Sequence, residues 1–221
     1  MTIAILVVLC LLAAARAYVL VVLPWMRRWG ATDADIVRAM PGDADVPDSN
    51  YGTTLGVTID AGPAEVWPWL PQMGYQRGGL YSYDWLDRLF GFLDRPSATR
   101  VLPQWQHLEV GEEIPIGVGA GFPVRAVDPF SSLVLGGDRP GLSWIWEFGL
   151  YPVGAKRTRL ISRNRARVAP TIGRRLFLAA LEPAAFLMTR KMLLGIKERA
   201  ERLVAEHPAS TRHPASTRHA A

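Results

Sequence analysis

The chain has 221 residues, enough for one domain with extensions, and 49% of them are apolar, so it can bury a sizeable core. Its single cysteine, Cys10, excludes a disulfide bond within the chain. The formal net charge of +5 is unevenly spread, because residues 152–221 carry 15 basic and 4 acidic side chains. Such a basic segment is either a solvated surface or a face that meets nucleic acid or anionic lipid headgroups.

The first apolar segment covers residues 3–25 and carries a single charged side chain, Arg16. As a helix, about 20 such residues cross a hydrocarbon core of about 30 Å. A cleaved signal peptide is the alternative, since Ala15 and Ala17 flank Arg16 in a small-x-small cleavage pattern. However, no basic side chain precedes the segment, and apolar residues resume after Ala17. We therefore predict a retained transmembrane anchor over residues 1–28.

The orientation of this anchor follows from the charges around it. Arg27 and Arg28 come directly after the apolar segment. By the positive-inside rule, the protein is then a single-pass protein of the cell membrane with its main domain in the cytoplasm. Residues 29–50 are polar, acidic and rich in Gly, Pro and Asp, which predicts a linker with little core of its own.

Hydrophobic patterns predict one α+β domain over residues 51–206. Residues 53–59 alternate between apolar and small or polar side chains, as a half-buried strand does. Two short helices follow, one from Pro63 to Leu70 and one from Tyr83 to Phe90. Five more strands and a long helix are predicted, at 112–116, 122–127, 130–135, 143–151, 156–168 and 183–206.

The last two strands form the strongest predicted hairpin, and its two faces differ in character. One face is apolar with two polar points, and it carries Trp144, Trp146, Phe148, Ser162 and Asn164. That face is expected to line the interior, because alternate side chains of a strand point to the same side.

The outer face carries a row of arginines and one acid: Arg159, Arg163, Arg165, Arg167 and Glu147. Aromatic residues interleaved with the arginines would favour a nucleic-acid interface, but only Ile161 lies among them. We therefore expect no nucleic-acid partner, since contact with an anionic membrane explains the charges of these arginines without one.

The final helix is predicted to begin at Pro183 and to present one apolar stripe, formed by Met188, Met192, Ile196, Ala200 and Leu203. A helix this long needs a surface against which to bury the stripe, and the predicted sheet is that surface. Residues 207–221 repeat Pro-Ala-Ser-Thr-Arg-His without large apolar side chains, which predicts a disordered tail.

Three short segments resemble a known superfamily. Residues 58–70 read TIDAGPAEVWPWL, residues 72–74 read QMG, and residues 78–86 read GGLYSYDWL. They resemble segments of the SRPBCC, or START-like and Bet v 1-like, superfamily. This superfamily includes polyketide cyclase/dehydrase-type proteins and bacterial membrane-anchored members of unassigned function. The resemblance covers about residues 50–206.

The resemblance implies a helix-grip fold, in which a curved antiparallel sheet wraps round the long C-terminal helix and leaves a cavity between them. The family usually has seven strands, of which we identify six. The seventh would lie in residues 95–110 or arise from a split of residues 122–135. Because members include lipid carriers, hormone receptors and cyclases, the resemblance leaves the activity open.

Catalytic chemistry has little support in the sequence. His107 is the only histidine before residue 207, and Cys10 lies in the predicted anchor, so we expect no catalytic triad, no metal site and no cofactor. A buried carboxylate could still act as an acid–base group. Asp84, assisted by Tyr83, is the best candidate, although helix capping is the simpler role for it.

The leading hypothesis is that the domain binds a lipid or another hydrophobic small molecule close to the membrane. The predicted lining consists of Trp69, Tyr81, Tyr83, Trp85, Trp144, Trp146, Ser162, Asn164, Met188 and Met192. One alternative is a cyclase- or dehydratase-type enzyme that uses the same cavity. The other is a packed protein-interaction module without a cavity. Enzymatic activity stays open, with a non-enzymatic role favoured.

Overall fold

A computed structural model describes residues 2–206, except for the side chains of residue 2 and of residues 174–177; the predicted tail, residues 207–221, lies outside the described residues. The chain begins with a continuous helical segment: α1 (Thr2–Ala17), a π-helical turn (Tyr18–Val22) and α2 (Leu23–Arg27). The π turn ends two residues before Pro24, which has no N–H to donate to an ordinary helical ladder. Residues Ile3–Arg27 are long and apolar enough to cross a membrane, with a mean hydropathy of 2.7.

Six antiparallel strands form one sheet in the order β1-β6-β5-β4-β3-β2. Their bounds are β1 Tyr51–Ile59, β2 Glu113–Gly117, β3 Ala120–Asp128, β4 Ser132–Arg139, β5 Leu142–Pro152 and β6 Thr158–Val168. The six predicted strands are confirmed, each with slightly different ends. Residues 95–110 contain a short 3-10 turn, Pro103–Trp105, instead of a seventh strand.

The remaining helices are α3 (Asp33–Val37), α4 (Pro63–Val66), α5 (Asp84–Leu89) and α6 (Ile172–Glu206). Helix α6 is longer than predicted, and Pro183 lies inside it instead of opening it. The apolar stripe packs on the sheet, with Ile196 and Ala200 fully buried. Close approach depends on Gly195, because a Cβ there would lie 2.3 Å from the backbone oxygen of Tyr81.

Residues 29–50, predicted to be a linker with little core of its own, cover the outer face of the sheet. Helix α3 and the 3-10 turn Pro41–Asp45 form in this segment, and Met40 and Val46 are buried. Val46 joins Val134 and Ile145 in a second apolar cluster, on the side of the sheet opposite to α6. From here on, residues 29–50 are called the cover segment.

Arg163 holds the cover segment to the sheet, and its side chain is only 5% exposed. Its Nη1 donates to the carbonyl of Arg38 at 2.8 Å and to the carboxylate of Asp43 at 2.7 Å. Its Nη2 donates to the carbonyl of Asp35 at 2.7 Å. These bonds satisfy backbone groups of the cover segment that the sheet would otherwise leave buried and unpaired.

The neighbouring arginines of the row are also bound within the molecule. Arg159 pairs with the buried Asp35 at 2.6 Å, and Arg165 pairs with Asp43 at 3.2 Å. Most arginines of this row therefore form hydrogen bonds and ion pairs within the protein. Our assignment of all these charges to a membrane surface is wrong for Arg159 and Arg163, because their partners lie in the cover segment.

Glu147 points outward as expected, but the cover segment buries it completely. It lies opposite Arg163 in the β5–β6 pairing, and its Oε2 accepts a hydrogen bond from the backbone N–H of Gly42 at 3.1 Å. Burial raises the pKa of Glu147 to about 7. This carboxyl group therefore carries its proton more readily in the folded chain than in the unfolded one.

Replacing Arg163 should release the cover segment. Arg163→Ala removes one of the two arginines that pair with Asp43 and leaves the carbonyls of Asp35 and Arg38 without their donor, which should lower the free energy of unfolding by about 1–3 kcal/mol. Hydrogen exchange of the full chain in nonionic detergent should speed up in residues 33–46. Arg157→Ala, at an exposed position, is the matched control. Equal exchange rates in the two variants would contradict the conclusion that Arg163 holds the cover segment to the sheet.

The stability of the protein should fall as the pH rises from about 4.5 to about 7. In this window the unfolded chain releases the Glu147 proton while the folded chain still holds it, so deprotonation favours unfolding. The loss should be on the order of 1–3 kcal/mol and should be complete above the folded pKa. Denaturant titrations at several pH values should show a flatter dependence in Glu147→Gln; an unchanged slope would contradict the assignment.

Candidate functional site

A cavity of about 420 Å³ lies between the inner face of the sheet and the N-terminal half of α6. We call it the apolar cavity, because most of its wall consists of aliphatic and aromatic side chains. They come from α2, the sheet, the loop after α5 and α6: Met26, Leu55, Phe90, Phe92, Ile116, Phe122, Trp146, Phe186, Met188 and Met192.

The sheet side of the wall contains polar groups that are already paired. The indole Nε1 of Trp146 donates to Ser162 Oγ at 2.9 Å, and Asn164 Nδ2 donates to Thr53 Oγ1 at 3.4 Å. Trp146 and Asn164 are cross-strand partners in the β5–β6 hairpin. Most of the hydrogen-bonding capacity of Asn164 remains available, because an amide side chain has two donor hydrogens and an acceptor oxygen.

One end of the apolar cavity is formed where the N-terminal helix meets α6. Met26 is part of the main core, and Trp25 packs edge-to-face on Phe186 with ring centroids 5.4 Å apart. Arg27 donates to Glu182 through Nε at 2.5 Å and through Nη2 at 2.9 Å. The apolar helix thus ends against the cavity, and it is joined to α6 by a paired guanidinium and carboxylate.

This ion pair is strongly asymmetric in its exposure to water. The Arg27 side chain is 41% exposed, whereas the Glu182 side chain is only 3% exposed. Tyr51 lies beside the pair, with the Arg27 guanidinium 5.4 Å from its ring centre. Burial, and next the negative charge of Glu182, raises the pKa of the Tyr51 hydroxyl to about 12. The site therefore contains one buried anion whose neutralisation depends on Arg27.

Four of the ten residues predicted to bind a ligand line the apolar cavity: Trp146, Asn164, Met188 and Met192. Ser162 is fully buried and reaches the wall only through its bond to Trp146. Trp144 is outside the lining and packs on Phe122, with ring centroids 5.0 Å apart.

The other four predicted residues lie elsewhere. Trp69 and Tyr81 are core residues that pack edge-to-face with ring centroids 5.9 Å apart. Tyr83 precedes α5, and Trp85 on that helix is 66% exposed. Sequence alternation assigns faces within a sheet, but these four residues lie in loops and short helices, where it gives no direction.

Asp84 is not part of the cavity wall. Its carboxylate accepts hydrogen bonds from the Ser97 backbone N–H at 3.1 Å and from Ser97 Oγ at 2.7 Å. The neighbouring Asp87 is fully buried and accepts from Ser82 Oγ at 2.6 and 2.7 Å. Both carboxylates thus hold the loops around α5 together, as structural groups do.

The charged end of the site, which consists of Arg27, Tyr51 and Glu182, was not predicted from the sequence. There Arg27 indicates only the orientation of the anchor, and Glu182 directly precedes the predicted start of the last helix. The single available signal is that Glu182 is the sole acid between residues 152 and 197. Among the described residues, no cluster of His, Cys, Asp and Glu could hold a metal ion.

No protein-family model matches the chain, and no curated protein matches it. The solved structures similar to it include norcoclaurine synthase from Thalictrum flavum, at 16% identity over 77% of this chain and 95% of that chain, with a TM-score of 0.41. A protein from Mesorhizobium loti shares 15% identity over 69% of this chain and 98% of that chain, with a TM-score of 0.40. A protein from Thermobifida fusca shares 15% identity over 69% and 94%, with a TM-score of 0.43.

The sheet order and the single long C-terminal helix decide the architecture. This chain has the helix-grip fold. The helix-grip architecture expected from the START-like and Bet v 1-like resemblance is therefore confirmed by the sheet order and by helix α6. Such low identities and TM-scores carry no inference about a ligand or an activity of this helix-grip protein.

The asymmetry of the ion pair predicts unequal costs for removing its two members. Arg27→Met leaves the Glu182 carboxylate buried and unpaired, which should lower the free energy of unfolding by roughly 2–4 kcal/mol. Glu182→Gln leaves a solvated guanidinium and should cost about 1 kcal/mol. Denaturant titration of the full chain in nonionic detergent measures both. The double variant should cost less than the sum, and strict additivity would contradict a direct pair.

Proposed function

We propose that this protein binds a lipid or another apolar small molecule in the apolar cavity, close to a membrane. The observation that carries the proposal is the cavity itself. Its volume of about 420 Å³ falls within the range of small-molecule sites, about 300–1,000 Å³. An apolar wall with a few polar groups, here Asn164 and the Arg27–Glu182 pair, is the usual composition of such sites.

The position of the cavity supports the proposal that the ligand comes from the bilayer. Its wall includes Met26 and Arg27, at the end of the helix that is apolar enough to span a membrane. Phe90 and Leu181 also belong to the wall, although they are 48% and 45% exposed. Exposed apolar side chains around an opening are unfavourable in water and favourable next to lipid.

The proposed topology follows the charges at the end of the apolar helix. Residues 1–28 form a single-pass anchor, and the domain of residues 51–206 lies on the cytoplasmic side, because Arg27 and Arg28 follow the span. Residues 29–50 act as a rigid connection instead of a free linker, since Arg163 binds them to the sheet.

The two alternative functions have less support. A packed interaction module would have no cavity of this size. The enzyme hypothesis relied on Asp84 and Tyr83, and neither belongs to the cavity wall, while Asp84 is bound to Ser97. Binding of an apolar ligand therefore agrees best with the contacts of these side chains.

Filling the cavity should remove the bound molecule. Thr189 on α6 belongs to the cavity wall, and Thr189→Phe places an aromatic ring in the space that the ligand needs. The full chain, purified in nonionic detergent and analysed by native mass spectrometry, should carry a bound lipid or apolar molecule. The variant should carry about tenfold less of it.

Leu187→Phe is the matched control, because Leu187 lies on the same helix, is 47% exposed and is not part of the wall. It should retain the bound molecule at the level of the unchanged protein. The proposal fails if the unchanged protein is empty after mild extraction and reconstitution with lipid. Equal occupancy in the two phenylalanine variants, with unchanged circular dichroism, would place the molecule outside the cavity.

A further inference from the structure

A second depression, with a volume of about 660 Å³, lies between the cover segment, the end of α2 and the strands β1 and β6. Charged side chains are its distinguishing feature. Five arginines and one aspartate belong to its wall: Arg27, Arg28, Arg38, Arg163, Arg165 and Asp43. We call it the basic groove. Because the arginines outnumber the single acid, its potential is positive and favours an anion.

The arginines of the basic groove differ in how many of their hydrogen bonds and ion pairs are already made within the protein. Arg163 is bound to carbonyls and to Asp43, so it is a structural group. Arg165 pairs with Asp43 through Nη1, and its buried Nε has no hydrogen-bond partner among the described residues. Arg28 is 55% exposed and meets Asp33 only at 3.9 Å, and that carboxylate is fully exposed. Arg28 therefore keeps most of its capacity to bind an anion.

The basic groove adjoins the apolar cavity. Arg27, Thr53 and Asn164 belong to the walls of both spaces. The guanidinium of Arg27 contacts Glu182 through Nε and Nη2, which leaves its Nη1 group to donate elsewhere. One molecule could thus extend from the cavity, past Arg27, into the groove.

The charge distribution determines which end of such a molecule lies in the cavity and which end lies in the groove. An anionic headgroup inside the cavity would meet the buried carboxylate of Glu182, which repels it. In the groove the same headgroup meets guanidinium groups, whose planar donors match phosphate oxygens. The groove also begins at Pro24, Arg27 and Arg28, at the end of the apolar helix, where lipid headgroups lie.

We propose that the ligand is an amphiphile with a phosphate headgroup, whose chain occupies the apolar cavity and whose headgroup binds in the basic groove. Arg28 and Arg27 contact the phosphate, and Arg163 and Arg165 contribute to the positive field around it. This inference rests on the proposed function, because the chain needs the cavity. It adds the ligand class and a second subsite, on the outer side of β1.

The test compares two ligands that differ only in the phosphate group. Oleoyl lysophosphatidic acid and monooleoylglycerol have the same chain and the same glycerol. Their affinities are measured by native mass spectrometry of the full chain in nonionic detergent, with inorganic phosphate as a separate probe. The variants are Arg28→Gln and the matched Arg157→Gln, which removes an exposed charge in the β5–β6 turn, away from the groove.

The unchanged protein should bind the phosphate-bearing ligand about tenfold more tightly than the neutral one, as expected for a charge-assisted hydrogen-bonded contact. Arg28→Gln should remove most of this preference, because it should weaken the phosphate-bearing ligand far more than monooleoylglycerol. Arg157→Gln should keep the preference. Thr189→Phe should weaken the binding of both ligands, because both place their chain in the cavity.

Four results would overturn the inference. Equal affinities for the two ligands in the unchanged protein would remove the headgroup subsite and leave the cavity proposal standing. A preference that survives Arg28→Gln would remove the basic groove as its source. Inorganic phosphate that binds equally well with and without Thr189→Phe, while the lipids show no preference, would make the groove a site for a free anion. Absence of binding by both lipids would refute the proposed function as well.

Discussion

The buried hydrogen bonds of Arg163 are the interaction on which the arrangement of this protein depends. A sheet with helix α6 on one side needs a cover for its other side, and residues 29–50 supply that cover while Arg163 satisfies their carbonyls and pairs with Asp43. The cover segment also connects the apolar helix to β1. Its attachment therefore determines where that helix ends relative to the sheet and to the cavity.

The cavity exists because α6 packs unevenly along its length. In the C-terminal half, Leu193, Ile196 and Ala200 are fully buried against the sheet, and Gly195 allows contact with the Tyr81 loop. In the N-terminal half, the helix instead meets α2 through the Arg27–Glu182 pair. An ion pair with one buried member contributes less to stability than apolar packing of the same volume. This weaker contact therefore lies at the end of α6 that borders the cavity.

The positive charge of the chain serves two different purposes. Arg159 and Arg163 pair with acids of the cover segment, the buried Asp35 and the partly buried Asp43, so they are unavailable to any partner. Arg28 remains exposed beside the end of the apolar helix. Burial separates these classes, because an arginine in a low-dielectric environment must be paired, whereas an exposed one can exchange water for a ligand.

The sequence by itself determined the elements and the fold class. Alternation in β5 and β6 and the stripe of α6 are local patterns, and each follows from backbone geometry within one segment. The inner positions of Trp146 and Asn164 were predicted for this reason. Loops and short helices lack such a period, which is why Trp69, Tyr81 and Trp85 were assigned to the cavity although they lie outside its wall.

Only the tertiary structure decided which charged side chains meet and where the apolar cavity lies. Glu182 is 155 residues from Arg27, and Arg163 is 120 residues from Asp43, so neither pair has a signature in the sequence. The burial of Glu147 depends likewise on a segment that composition describes as a polar linker. Long-range contacts follow from the packing of whole elements, and the properties of a site follow from these contacts.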